Sequence, residues 1–338
     1  MDRYRLLDCT LRDGGYINNW EFGKQNVKDM IHKLVEAKLD YIECGYLNNA
    51  HQGTEQAIYK SIEEISDLLP KNKGNSLFLA MADVNQLSKD DITPYTGNSI
   101  DGIRVVFYKH QIEQALDLCA TINAKGYKLF VQPMVTIDYT IDEYTELARR
   151  IAELNPYAIA IVDSFGYMLK EDFRKYFKIL DNILPISVNI GFHSHNNMEL
   201  AFLTAQDILE YKTKRNIIID SSLYGMGRGA GNLNTELIAN YYNMTLGQKY
   251  DLQIIMKLIS DYIMPIRAKK IWGYSPYLFI TSLNRCHPNY ASYLLDNHDV
   301  TLAQFNEFIQ LVPEERKTKC TKDFVEELYM EFRANGEK

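Results

Sequence analysis

Two histidines one residue apart, in Gly191-Phe192-His193-Ser194-His195-Asn196-Asn197, are the best-suited metal-gripping pair in this sequence. On an extended segment alternate residues face the same side, about 6.6 Å apart at a rise of ~3.3 Å per residue. Two imidazoles so placed can hold one cation. The metallo-hydrolase pattern H-x-H-x-D-H fails, because Asn197 and Met198 occupy its last two positions. An iron site of two histidines and one carboxylate stays open on chemistry alone.

Three further segments carry polar residues at the ends of apolar runs. Asp8-Cys9-Thr10-Leu11-Arg12-Asp13-Gly14-Gly15-Tyr16 sets two charges beside a Gly-Gly pair, where backbone can pass close to a ligand. Taken alone it reads equally as a capped turn with a surface ion pair. Asp220-Ser221-Ser222-Leu223-Tyr224-Gly225-Met226-Gly227-Arg228-Gly229-Ala230-Gly231-Asn232 has glycines at alternate positions but does not spell the dinucleotide pattern G-x-G-x-x-G. It is either a backbone anion cradle including Gly229 or a tight closure. Asp163-Ser164-Phe165-Gly166 offers a hydroxyl to a site or an N-cap to a helix.

The elements that must position these residues repeat one pattern. Short apolar runs at 4–9, 41–44, 76–81, 102–107, 128–132, 158–162, 187–192 and 217–220 alternate with amphipathic stretches such as Val27, Met30, Ile31, Leu34 and Val35. Continuous apolar strands separated by helices imply a parallel sheet covered on both faces. Eight in roughly 245 residues match a (β/α)8 TIM barrel, for which about 250 residues is typical; a doubly wound open sheet is the alternative. In a closed barrel the eighth strand lies between the seventh and the first. The histidine pair, the glycine loop and Arg12-Asp13 then share one rim, and Asp13 can complete an Asp-His-His site with open positions. From about Lys249 the alternation stops, so the expected organisation is a barrel over 1–245 and a C-terminal helical appendage over 246–338, frayed from Ala334 onward.

These motifs, L-D-C-T-L-R-D-G-G, D-S-F-G, G-F-H-S-H-N-N and G-M-G-R-G-A-G-N, resemble the signatures of the DRE-TIM metallolyase superfamily over about residues 4–245. The glycine loop is most similar to that of its 4-hydroxy-2-oxovalerate aldolase branch. The resemblance implies Mg2+ or Mn2+ held by Asp13, His193 and His195, with Asn232 adding a ligand or orienting the loop. It also implies a 2-oxo acid substrate and Arg12 stabilising the enolate that forms as a C–C bond breaks. Ser164, Gly229 and Asn232 are the expected substrate contacts beside Arg12.

Position 16 departs from the aldolase pattern. That branch carries its basic histidine there, three residues after the metal aspartate, and this chain has Tyr16, a poorer base at an unperturbed pKa near 10. Gly15 is also smaller than the residue usual there. The appendage can supply the missing group. Trp272-Gly273-Tyr274-Ser275-Pro276-Tyr277 loosely resembles the aldolase segment that sends a tyrosine into the site, and Cys286-His287-Pro288-Asn289-Tyr290 adds a histidine that is either catalytic or an exposed loop residue. Arg12, Tyr16, Tyr274 and His287 are the catalytic candidates.

Composition excludes several other classes. Thirty-seven basic against forty-four acidic residues give −7, which is no nucleic-acid footprint. Apolar runs fall far short of the ~20 residues a membrane span needs. The five cysteines are scattered without CxxC spacing, which excludes a zinc ribbon and disfavours a disulfide framework. The expectation is a cytoplasmic homo-oligomeric lyase, an aldolase working through a pyruvate-type enolate. Its rivals are a Claisen-type acyltransferase, an HMG-CoA-lyase-like enzyme, and a barrel that binds metal without its base. An acetaldehyde dehydrogenase partner follows only from the resemblance.

Overall fold

The structure, a computed structural model, describes residues 3–336. Eight apolar runs form β1 (Tyr4–Asp8), β2 (Tyr41–Leu47), β3 (Leu77–Asp83), β4 (Gly102–Phe107), β5 (Lys128–Pro133), β6 (Ala158–Asp163), β7 (Asn189–Ser194) and β8 (Ile217–Ser221). All are parallel and pair in chain order. Leu7 of β1 sits opposite both Tyr41 of β2 and Asp220 of β8, which closes the sheet into the expected TIM barrel.

Two strands differ from their sequence bounds in ways that bear on the site. β2 continues past Cys44 because Gly45, at φ +145°, permits a register shift between Glu43 and Tyr46. A Cβ at Gly45 would fall 2.1 Å from the Ala57 carbonyl oxygen. β7 begins two residues later than expected and takes in His193 and Ser194, so His195 lies one step beyond the strand.

The crossover helices bury one face each. In Lys24–Glu36 the buried residues are Val27, Met30, Ile31 and Leu34. Ile141–Leu154 opens with a reciprocal cap, in which Thr140 Oγ1 accepts from the Glu143 N–H and Glu143 Oε2 accepts from the Thr140 N–H. Inside the barrel, Leu7, Tyr41, Leu79, Phe130 and Ile218 form an apolar floor. The phenols of Tyr41 and Tyr157 meet there at 2.9 Å.

The chain beyond residue 245 packs in two ways. Tyr250, Ile255, Leu258, Ile259, Ile263 and Trp272 belong to the barrel's own core. Tyr250 Oη donates to Asp40 Oδ2 at 2.6 Å and accepts from the Leu6 N–H at 3.2 Å, tying this segment to the start of β1. A separate core begins only at Ile280, where Tyr290, Leu294, Phe305, Phe308 and Val325 pack together. We therefore place the start of the appendage near residue 275 instead of 246. Its last helix runs through Lys322–Gly336, past the expected fraying at Ala334, and Glu337 and Lys338 lie outside the described residues. Among the described residues no helix is long and apolar enough to cross a membrane.

A fragment ending at residue 245 loses these six large residues from the barrel core and should aggregate. One ending at 275 should stay soluble and unfold cooperatively. Equal solubility of both fragments, measured by size-exclusion chromatography, would contradict this division.

Candidate metal centre and active-site chamber

Asp13 closes the short helical turn Thr10–Asp13 that follows β1, with its N–H bonded to the Cys9 carbonyl. Asp8 Oδ1 accepts from the Thr10 N–H at the start of this turn, and Thr10 Oγ1 accepts from the Leu223 N–H of the glycine loop. The rim segments after β1 and β8 are thus bolted together. From the other side, β7 delivers His193 and His195 with ring centres 5.3 Å apart. His193 Nε2 lies 4.0 Å and His195 Nε2 3.8 Å from Asp13 Oδ2. All three ligand atoms lie within 4.8 Å of one another, a separation that one divalent ion at ~2.1 Å per bond spans with small side-chain adjustments.

The remaining nitrogens of both imidazoles are fixed. His193 Nδ1 is 3.0 Å from Asp220 Oδ2, and His195 Nδ1 is 3.1 Å from the Arg228 carbonyl oxygen. Each acceptor places the proton on Nδ1 and leaves the Nε2 lone pair towards Asp13, which is how ligating histidines are oriented. Burial pushes the His195 pKa down to about 3, so it is a neutral ligand at physiological pH. For Asp13, burial opposes ionisation, but Arg12, the two imidazoles and Arg228 together outweigh it and hold the carboxyl well below its usual range.

The donor set fits a divalent cation on this structure's own terms. Asp13 Oδ2 is buried and takes no hydrogen bond, as is Asn232 Oδ1. A Cβ built on Gly227 would fall 2.5 Å from Asn232 Nδ2 and 3.0 Å from Asp13 Oδ2, so the glycine keeps that cradle open.

Beneath the ligands runs a chain of buried charges. Arg12 Nη1 donates to Asp13 Oδ1 at 2.7 Å and its Nε to Glu43 Oε2 at 2.8 Å. Arg104 Nη1 lies 3.0 Å from Glu43 Oε2, and its Nη2 donates to Asp220 Oδ2. Asp220 in turn holds His193. Sequence reading assigned Asp220 no role and passed over Glu43 and Arg104, although an ionisable residue inside an apolar strand (Y-I-E-C-G-Y-L, G-I-R-V-V-F) was a visible signal.

A chamber of about 30 Å³ adjoins this cluster, lined among others by Arg12, Asp13, Tyr16, Ser164, His193 and Arg228. Tyr16 sits at its mouth with Oη 3.2 Å from Tyr46 Oη. Its ring packs on Trp20 at 4.8 Å and under the Arg228 guanidinium at 5.4 Å. The small Gly15 has a cause here, since the Trp20 indole occupies the space a Cβ would need and donates to the Arg12 carbonyl at 2.7 Å. Ser164 is no N-cap, because the next helix starts at Lys170; its Oγ accepts from the Val135 N–H at 2.8 Å. Gly229, at φ +66°, shapes the loop beside Asn197.

Outside the chamber a cleft of about 850 Å³ opens between the rim and the appendage, and Met134 borders both spaces. His287 lines this cleft and is only 6% exposed, so it is not a surface loop residue. Its Nδ1 accepts from the Asn289 N–H at 3.1 Å, which puts the proton of the neutral ring on Nε2. Burial, with Arg228 and His195 nearby, holds its pKa well below the usual value. Tyr274 is 55% exposed and lines neither space. Trp272 is the residue its segment sends to the rim, where Nε1 donates to the Tyr224 carbonyl at 3.0 Å.

Asp13→Ala or His193→Ala should abolish Mn2+ binding, while Asp220→Asn, which keeps every ligand, should weaken it by roughly 10–100-fold. Calorimetric titration checks this, and full stoichiometry in the two alanine variants would rule the site out.

The chain is similar to several known proteins. The 4-hydroxy-2-oxovalerate aldolase of Marinomonas sp. is 31% identical over 271 residues, covering 79% of this chain and 78% of that protein. The oxaloacetate decarboxylase of Mycobacterium tuberculosis is 24% identical over 233 residues, 69% of this chain and 68% of that protein. The carboxyl transferase domain of Rhizobium etli pyruvate carboxylase, solved with 3-hydroxypyruvate, shares the fold at a TM-score of 0.73 and 16% identity, over 99% of this chain and 61% of that one. The family model described as HMGL-like matches residues 3–261, and the chain belongs to that family of divalent-metal-dependent lyases, the DRE-TIM metallolyases.

Proposed function

We propose that this protein is an aldolase that breaks, or in reverse forms, the C3–C4 bond of a 4-hydroxy-2-oxo acid. The observation that carries the reading is the unpartnered Asp13 Oδ2 facing two oriented imidazoles, with Arg12 clamped beside it. Asp13, His193 and His195 would hold Mg2+ or Mn2+, which when bound supplies Lewis-acid polarisation of the substrate's carboxylate and keto oxygens.

The protein's own groups account for the remaining demands. Arg12, fixed through Nε and Nη1, presents a rigid guanidinium to the oxygen that gains charge as the bond breaks. Tyr16 stands at the chamber mouth, where the 4-hydroxyl proton must leave, and its phenol can pass that proton along the contact with Tyr46. His287 keeps an Nε2–H donor by virtue of its Asn289 contact, so it suits a hydrogen-bonding or proton-donating part and not that of base. Tyr274 is left out of the mechanism by its exposure. Asn232, Ser164 and the backbone around Gly229 complete the binding surface.

Incubation with a panel of 4-hydroxy-2-oxo acids should release pyruvate, only with Mn2+ or Mg2+ present and without coenzyme A. Coenzyme A release from an acyl thioester in the presence of a 2-oxo acid would favour the acyltransferase reading instead. Arg12→Lys should lower kcat by at least 100-fold, because the planar fork is lost.

Tyr16→Phe should lower kcat at least tenfold, with pyruvate methyl exchange in D2O retained. Near-normal turnover would move proton transfer to another group.

A further inference from the structure

Arg228 is the cation that the mechanism above leaves without work. It lines the chamber beside Asp13, His193 and His195, and it is half-buried. Its neighbours are the Tyr16 ring and the Tyr108 phenol. Among the described residues no carboxylate forms an ion pair with it, and its Nε is buried without a hydrogen-bond partner. By contrast Arg12 and Arg104 each engage two carboxylates. A half-buried guanidinium with no carboxylate partner is suited to planar, bidentate recognition of an anion.

Charge balance points the same way. The site's three carboxylates, Asp13, Glu43 and Asp220, exceed its two paired guanidiniums by one negative charge. One divalent cation and the carboxylate of a 2-oxo acid bring that set to neutrality. Arg228 then remains as an uncompensated positive charge. Its position is fixed, because its carbonyl oxygen holds His195 Nδ1 at 3.1 Å and accepts from the Gly231 N–H. A second anion on Arg228 must therefore lie within one side-chain length of the cation site. That short span suits a carboxylate carried by a small substrate.

We propose that Arg228 binds a second carboxylate of the substrate, so that this aldolase acts on short 2-oxo dicarboxylates. The proposal rests on the aldolase reading and names its substrate class. With 4-hydroxy-2-oxoglutarate, the C3–C4 bond breaks and its electron pair enters the enolate. The 4-hydroxyl proton passes to the protein, C4 becomes the aldehyde of glyoxylate, and protonation of the enolate gives pyruvate.

The test uses the full chain and a matched pair of ligands that cannot undergo the cleavage. 2-Oxoglutarate and 2-oxovalerate differ only in a terminal carboxylate against a methyl group. Calorimetric titration of the Mn2+-loaded protein should give at least tenfold tighter binding of 2-oxoglutarate. Arg228→Gln should erase that ratio, and Arg228→Lys, which keeps the charge without the fork, should retain part of it. Equal affinities in the wild type, or a ratio that Arg228→Gln leaves intact, would overturn the assignment. Cleavage of 4-hydroxy-2-oxoglutarate should exceed that of 4-hydroxy-2-oxovalerate by a similar factor in kcat/KM. Absence of Mn2+-dependent deuterium exchange at the pyruvate methyl would sink the aldolase reading and leave the binding ratio standing, so the two failures are distinguishable.

Discussion

Six ionisable side chains, linked from Asp13 through Arg12, Glu43, Arg104 and Asp220 to His193, run through the barrel interior above its floor of aliphatic and aromatic groups. Arg104 makes the constraint plain. It stands on β4 and reaches Glu43 on β2 and Asp220 on β8, so it must cross the barrel axis. Glu43, Arg104 and Asp220 come from alternate strands, the arrangement by which barrels stack their interior layers. Burying such a chain yields little net stability, because desolvation offsets most of the attraction, whereas removing one member costs about 3–5 kcal/mol. What the chain secures is position. The cation's carboxylate is held at one end and one of its imidazoles at the other, both referred to the rigid strands and not to the loops.

Small residues complete that arrangement from above. Gly227 leaves room between Asn232 and Asp13, and Gly15 leaves room for the Trp20 indole that supports Tyr16. Gly231 approaches the Gly225 carbonyl so closely that a Cβ would sit 1.9 Å from its oxygen. The glycine-rich loop is thus a thin wall that lets three segments meet at one candidate cation site.

Much of this was legible in the sequence. Periodicity located all eight strands, and closure of the ring brings Asp13 and the histidine pair together across 180 positions of chain. What escaped reading has a common physical cause. Glu43 and Arg104 sit in strands whose neighbours are uniformly apolar, and only a partner supplied from another strand reveals why a charge is tolerated there. His287 resembles a surface loop residue until the appendage folds it against the rim beside Phe165, with ring centres 5.3 Å apart. The boundary at 245 followed the end of strand–helix alternation. Alternation, however, reports secondary structure, and the helices up to residue 267 still spend their apolar face on the barrel.

The hydrogen bond from His195 to the main-chain carbonyl of residue 228 separates two duties that usually burden a single side chain. Since the peptide backbone orients the imidazole, the side chain at that position is left free to face the chamber.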